Sequence, residues 1–366
     1  DALQGGLDHR RWPVTPQGTS LFWTGLNRSK RSVALDLSTP EGRELATAIA
    51  CAPGEDAGLF LTNFPPRGWL DHDKLRARRP DLVQLTLQGD RHGGSAVDYT
   101  VNARTGLPFM TGPQDGKGPV NHVLPAWDLV TGQMVAVGLL AAERHRRRTG
   151  EGRHVKLALE DVALAVMAHL GFLTEARLGA PRQRHGNDLF GAYGRDFACA
   201  DGQRVMVVGL TLKQWRSLVD ALALGAEMDA LQQRLGADLS QEGVRFVHRE
   251  AITALVGPRI ASRPLAEIAA AFDRHGVCWG RYHGIAELAN DAACSPANPM
   301  FRELHQPGVG TILAPGIPLE FTGLPRVPAG AAPVLGQHTE EVLTGLVGLS
   351  AAEFGALHDR GIVRAA

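Results

Sequence analysis

Three short apolar runs separated by helical pieces dominate the first ninety or so residues. Val33–Leu37 (VALDL), Leu59–Thr62 (LFLT) and Leu82–Leu87 (LVQLTL) have strand length and composition. Between the first two, Ser38-Thr39-Pro40-Glu41 reads as a helix start, with Ser38 three residues before Glu41 and proline near the first helical position. Leu45, Ala48 and Ile49 continue at helical spacing, and a shorter helical piece lies around Asp73–Arg78. Strand–helix–strand alternation at this spacing predicts a parallel sheet covered by helices, hence an α/β protein. In such sheets ligands gather at the carboxyl ends of strands. Asn63-Phe64 and Gln88-Gly89 occupy two of those ends, and glycine at 89 would let a substrate approach the backbone closely.

The stretch 89–126 is rich in Gly and Pro and has little periodicity, as functional loops often do. A long helix is predicted over Asp128–Arg147, with Val130, Met134, Val137 and Leu140-Ala141 on one face. Thr149-Gly150-Glu151-Gly152 turns the chain into a strand at Val155–Leu159, and a second long helix runs from about Asp161 towards Leu178. The texture changes over 187–204. A strand at Val205–Val208 then leads into helices near 212–224, 241–256 and 264–275, which read as a smaller α+β domain. Helical pieces return near Thr339 and Ser350, after Pro315–Pro333. The expected division is a Rossmann-like large domain from 1–187 plus 314–366, with 188–313 inserted as the small domain.

The 366 residues carry 38 basic and 38 acidic side chains, so no global field favours nucleic acid or a membrane surface. No apolar run spans a bilayer, and no signal peptide opens the sequence, which begins at Asp1. Cys51, Cys199, Cys278 and Cys294 form no C-x-x-C pair, suiting a reducing compartment, and the cytoplasm is the expected location. The 14 histidines lack metal-ligand spacing, and Walker, G-x-G-x-x-G and G-x-S-x-G motifs are missing. No metal and no permanently bound cofactor is expected.

Asp128 opens the long helix. There it serves as a cap, or as a carboxylate nucleophile that the helix end keeps ionised. Asn27-Arg28-Ser29-Lys30-Arg31 is either a solvated strand edge or a phosphate-binding patch. Arg144–Arg148 (RHRRR) ends a helix, where cations complement the dipole, and is read as structural. His122 is a base or a satisfied loop histidine. Spacing alone reaches an α/β enzyme of unknown substrate.

A set of landmarks extends this. NRSKRSVALDL (27–37) with STPEGREL (38–45), Asn63-Phe64-Pro65-Pro66, WDLVTG (127–132), RTGEG (148–152), Asp201-Gly202 and PVLGQHTEEVL (333–343) occur in order along nearly the whole chain. Together they resemble the family III CoA-transferases, which include formyl-CoA transferase and α-methylacyl-CoA racemase. The resemblance implies that family's fold, an interlocked homodimer in which each subunit threads the other's ring-like opening, and coenzyme A as part of the substrate. It places the catalytic aspartate on Asp128. It also implies CoA phosphates near Asn27, Arg28, Lys30 and Arg31, with Asn63 and Phe64 on the same side.

Three departures bear on activity. The leading strand–helix unit that carries part of the family's CoA site has no counterpart here. Where the racemases have a histidine in an H-D-x-N-Y stretch, this chain has Val97 before Asp98-Tyr99, and racemization needs two opposed acid/base groups. The glycine-rich loop of formyl-CoA transferase has no counterpart near Gly209-Leu210-Thr211. AVDYTVNARTG (96–106), PVNHVLPAWD (119–128) and NDLFGAYGRDF (187–197) resemble a subgroup that moves CoA between the two carboxyl ends of an unsaturated dicarboxylic acid. The substrate-side groups implied are Gln88, Gly89, Tyr99 and His122. The partners implied are an acyl-CoA and a small dicarboxylic acid. An intermolecular transferase, a racemase and a non-catalytic CoA-binding protein are the alternatives.

Overall fold

A computed structural model describes residues 1–366. In chain order the main elements begin with α1 (Leu21–Leu26), β1 (Ala34–Leu35), α2 (Pro40–Ala50), β2 (Leu59–Thr62), α3 (His72–Arg78) and β3 (Val83–Gln88). They continue with α4 (Asp98–Arg104), α5 (Leu107–Met110), α6 (Ala126–Thr149), β4 (His154–Ala158), α7 (Leu159–His169), α8 (Phe172–Arg177), β5 (Tyr193–Ala198) and β6 (Arg204–Gly209). Then come α9 (Leu212–Ala221), α10 (Gly225–Leu235), α11 (Glu242–Val247), α12 (Arg249–Ala261), α13 (Leu265–His275), β7 (Cys278–Arg281) and α14 (Ile285–Leu288). The chain closes with β8 (Phe301–Gln306), β9 (Gly310–Pro315), α15 (Thr339–Gly345), α16 (Ala351–Asp359) and β10 (Val363–Arg364). It folds as two compact units, one of residues 1–97, 127–162 and 286–366, the other of 98–126 and 163–285.

In the first unit β2, β3 and β4 form a parallel sheet, with Leu59 opposite Val83 and Gln84 opposite His154, but the first of the three predicted runs, Val33–Leu37, is not part of it. Both chain ends close on each other. β1 pairs antiparallel with β10, and Leu35, Leu45, Leu343, Phe354, Ile362 and Val363 form one buried cluster. The two most distant landmarks meet there: Gly336 N–H donates to Ser32 Oγ, Ala34 N–H to Thr339 Oγ1 and Ser32 N–H to His338 Nδ1. α2 is capped by Thr39, which accepts from Gly42 N–H, while Ser38 turns back to Asp36. The proline at 40 fixes the first helical position, so the cap falls on the residue before it.

The RHRRR run is structural, as read. Arg146 is buried and donates to the carbonyls of Glu55 and Ala57, while Arg147 pairs with Glu55, Asp56 and Glu143. The R-T-G-E-G turn is also punctuation. A Cβ at Gly152 would lie 2.0 Å from the Leu82 carbonyl oxygen, and Gly150 has φ +75°.

α6 differs from expectation in its buried face. Trp127, Thr131, Val135, Ala142 and Arg146 are buried, whereas Val130, Met134, Val137 and Leu140 are 38% to 68% exposed. The second long helix is split into α7 and α8 at Leu170-Gly171, where Gly171 takes φ +82°.

The second unit carries an antiparallel sheet in the order β5-β6-β7. Its core includes Tyr193, Val205, Val207, Trp215, Leu218, Ile252, Ile260 and Phe272. β5 and β7 were not read from sequence. The 98–126 stretch contains two short helices, α4 and α5. No helix in the chain is long and apolar enough to cross a membrane, and the four cysteines are unpaired.

On one face of the parallel sheet, the His72 and His154 rings stack with centroids 4.9 Å apart. His72 Nδ1 lies 3.1 Å from Gln84 Oε1, and His154 Nε2 lies 3.0 Å from Thr86 Oγ1. Burial holds the His154 imidazole below its ordinary value, and the His72 ring adds to this. A histidine depressed by folding binds its proton more tightly in the unfolded chain. Its stabilisation is therefore complete above the unfolded value of about 6.5 and is lost as pH falls below that. His9 and His185 are depressed as well, again chiefly by burial, and act in the same direction. The urea midpoint should fall between pH 7.5 and 5.5, and His154→Asn should flatten part of the fall. A midpoint that stays level over that range removes this account.

Candidate active site

α6 is oriented by its ends. Arg146, near its C-terminus, bonds the chain just before β2, while a Cβ at Gly138 would lie 3.3 Å from the Leu85 side chain and 3.9 Å from that of Val155. The helix therefore runs against the strand direction, with its N-terminus directed towards the carboxyl ends of β3 and β4. Asp128 lies in the first turn there, on the exposed side. Since the helix begins at Ala126, Asp128 sits within the first turn rather than at the cap. The N-terminal amides and the helix dipole favour its ionised form.

The other strand-end candidates share this edge. Gln88 is the last residue of β3, and the Gly89 carbonyl accepts from Glu160 N–H at 3.0 Å, joining the ends of β3 and β4. A Cβ at Gly89 would lie 2.3 Å from Ala96 N and 2.5 Å from the Gly94 oxygen. The close approach glycine permits is thus occupied by the chain's own loop. That loop is wound around Asp90, whose carboxylate accepts from His92 and Gly94 N–H. Beyond it Arg91 forks onto Asp161, which raises the guanidinium's proton affinity. Asn63 and Phe64 follow β2, both exposed, with Phe64 N–H donating to Thr62 Oγ1.

The basic loop is held from the far end of the chain. Ser29, at φ +58°, donates its N–H to the Ala331 carbonyl, and its Oγ accepts from Gly330 N–H. Lys30 Nζ donates to Asn27 Oδ1, and Arg31 pairs with Glu341 at 3.2 Å. Arg28 stands apart. Its Nε is buried without a partner, and burial lowers its proton affinity. Of the three cations it is the one whose donor still lacks an acceptor.

Tyr99 and His122 belong to the second unit. Tyr99 lies on α4 and is 45% exposed. Both ring nitrogens of His122 are buried without a hydrogen-bond partner. Buried polar atoms are nearly always satisfied, so this imidazole is the exception in its segment. Sequence reading missed Arg184, a buried arginine of the same unit that binds the carbonyls of Pro108 and Gly118. Its only trace in the sequence was the closeness of R-H-G-N to a family landmark.

Two cavities lie elsewhere. One of about 300 Å³ is lined by Leu212, Trp215 and Met228. Another of about 290 Å³ runs along β2 and is lined by Ala46, Ile49, Leu59 and Phe60. Neither is lined by a candidate residue. No group of His, Cys, Asp and Glu is arranged to hold a metal ion.

The family model described as CoA-transferase family III matches residues 4–339. The chain is 56% identical over 366 residues to the 2-methylfumaryl-CoA isomerase of Chloroflexus aurantiacus, covering 99% of this chain and 90% of that protein. It is 28% identical to the succinyl-CoA:mesaconate CoA-transferase of Haloarcula hispanica, over 88% of this chain and 81% of the other. In structure it is similar to a CaiB/BaiF family protein from Brucella suis, with a TM-score of 0.74 and 23% identity. That likeness covers 94% and 90% of the two chains and bears on the fold alone.

Proposed function

As the chain belongs to CoA-transferase family III, we propose that this enzyme moves coenzyme A between the two carboxyl ends of mesaconyl-CoA (2-methylfumaryl-CoA). The observation that carries the reading is Asp128, in the first turn of α6 at the carboxyl edge of the parallel sheet. Its carboxylate attacks the thioester carbonyl, the CoA thiolate leaves, and a mixed anhydride forms. The thiolate then attacks the aspartyl carbonyl, releasing the dicarboxylate and leaving an Asp128–CoA thioester. The dicarboxylate returns through its other carboxylate, which attacks that aspartyl carbonyl and expels the thiolate to give a second anhydride. Thiolate attack on the substrate carbonyl yields the isomeric thioester and restores Asp128. Covalent catalysis keeps the thioester energy throughout.

In this reading Arg28, with Asn27, Lys30 and Arg31 around it, faces the CoA phosphates, and Asn63 and Phe64 line the same side. Gln88, Tyr99 and His122 serve the dicarboxylate, and Gly89, packed under its own loop, fixes the strand end beside Gln88. The large CoA-binding domain is drawn from about 1–187 and 314–366, a functional division that differs from that of the two compact units. An interlocked homodimer is supported by apolar surface that one subunit leaves exposed. Val130, Met134, Val137 and Leu140 line one face of α6, and Ile317, Leu319, Phe321, Leu324 and Val327 follow β9. The protein works in the cytoplasm without a resident cofactor.

Free mesaconate carrying an isotopic label, added during turnover of unlabelled mesaconyl-CoA, tests the transfer. Retaining both fragments makes the return step unimolecular, where effective molarities reach ~10⁵ M or more. Little label should therefore enter the thioester pool. Rapid incorporation, or a requirement for added acid, would make the enzyme an intermolecular transferase.

A further inference from the structure

We propose that Arg184 is a positioning residue for His122. The inference rests on the reading of His122 as a substrate-side group and assigns how that side chain is held. Arg184 is 9% exposed. Its Nη2 donates to the Pro108 carbonyl at 3.2 Å and to the Gly118 carbonyl at 2.7 Å, closing the loop between them. Its Nη1 lies 2.5 Å from where a Cβ at Gly116 would stand, so the loop passes close over the guanidinium.

The same carbonyl of Pro108 also accepts from Val120 N–H at 2.9 Å. One residue further, Asn121 Oδ1 accepts from Asn102 Nδ2 at 3.2 Å, and Asn102 is itself 1% exposed on α4. His122 comes next, at the end of a run of ties that begins at Arg184. Without them, a Gly- and Pro-rich stretch with little periodicity has few local interactions to fix it. Its two buried, unpartnered ring nitrogens are then held in one place before any ligand supplies an acceptor or donor.

Residue type matters at 184. One nitrogen, Nη2, bridges two carbonyls ten residues apart in sequence, its two donors fixed in the guanidinium plane, whereas a lysine ammonium turns its donors on a flexible stem. Neutral carbonyls satisfy N–H groups but do not cancel the charge. The segment therefore keeps a positive potential, which favours a carboxylate bound beside His122.

The test uses Arg184→Lys and Arg184→Met in the whole chain. Each is assayed for turnover of mesaconyl-CoA, and each is labelled with diethyl pyrocarbonate followed by peptide mass mapping. The exposed His275 serves as internal reference. Arg184→Met should lower kcat about 100-fold with KM for the thioester changed less than threefold, and Arg184→Lys should recover part of the loss. In both variants His122 should be modified at least tenfold faster relative to His275. Should Arg184→Met fail to fold, the lysine variant carries both measurements. An unchanged His122 labelling rate in a folded variant overturns the proposal, as does kcat within threefold of the parent in both. If the parent itself does not turn over mesaconyl-CoA, the functional reading fails, and the labelling arm still decides whether Arg184 holds His122.

Discussion

Asp128→Ala should abolish turnover, lowering kcat by about 10³-fold or more, while the protein stays folded. The size follows from the proposed chemistry: without the carboxylate there would be no anhydride and no enzyme thioester, and water cannot preserve the thioester energy. The structural cost is small. Asp128 is an exposed side chain in the first turn of a 24-residue helix, where a charge–dipole contribution is about 0.3–1 kcal/mol. Asp128→Asn keeps the shape and removes the nucleophile, so it should behave like alanine in turnover and like the parent in melting. Hydroxylamine added during turnover should leave a hydroxamate on Asp128 in the parent and none in either variant. Retention of more than a tenth of parental kcat by the alanine variant would remove Asp128 from the mechanism, whatever the family.

The two kinds of sequence signal had different reach. The parallel sheet was legible because its strands are short apolar runs spaced by helices, and Leu59–Thr62 falls on β2 residue for residue. α6 was legible as a helix but not in its orientation. Val130, Met134, Val137 and Leu140 have the spacing of an inward face, yet they remain exposed while Thr131 and Arg146 are buried. Periodicity reports that a face is covered and does not say by what. β7 escaped because its pairing with β6 is non-local, and β5, β8 and β9 because their sequences, such as YGRDFA and FRELHQ, mix polar residues with the apolar ones. Asp128 is singled out by its motif and not by its position, since a carboxylate at a helix start is structural more often than chemical. His122 was one histidine among 14 until the burial of both its ring nitrogens set it apart.

Gly89 is the proposed site residue that the fold constrains most tightly, and its replacement should show it. A Cβ there would lie 2.3 Å from Ala96 N and 2.5 Å from the Gly94 oxygen, both backbone atoms that cannot rotate away. The loop from Asp90 to Ala96 must then move as a body, against the bonds that Asp90 makes to His92 and Gly94. Overpacking of this kind costs about 1–3 kcal/mol. The displacement would pull on Gln88 and on the Gly89 carbonyl that binds Glu160 N–H, at the strand ends towards which α6 directs its N-terminus. Misplacement of about 1 Å at such a site lowers rates on the order of 100-fold. Gly89→Ala should therefore lower the urea midpoint measurably and reduce kcat about 100-fold. Gly132→Ala, with nothing within 4 Å of its added Cβ, should leave both near the parent. The two glycines separate site strain from a general effect of added methyl groups. A Gly89→Ala enzyme with parental kcat would mean that the 90–96 loop yields freely and that the end of β3 does not set the geometry around Asp128.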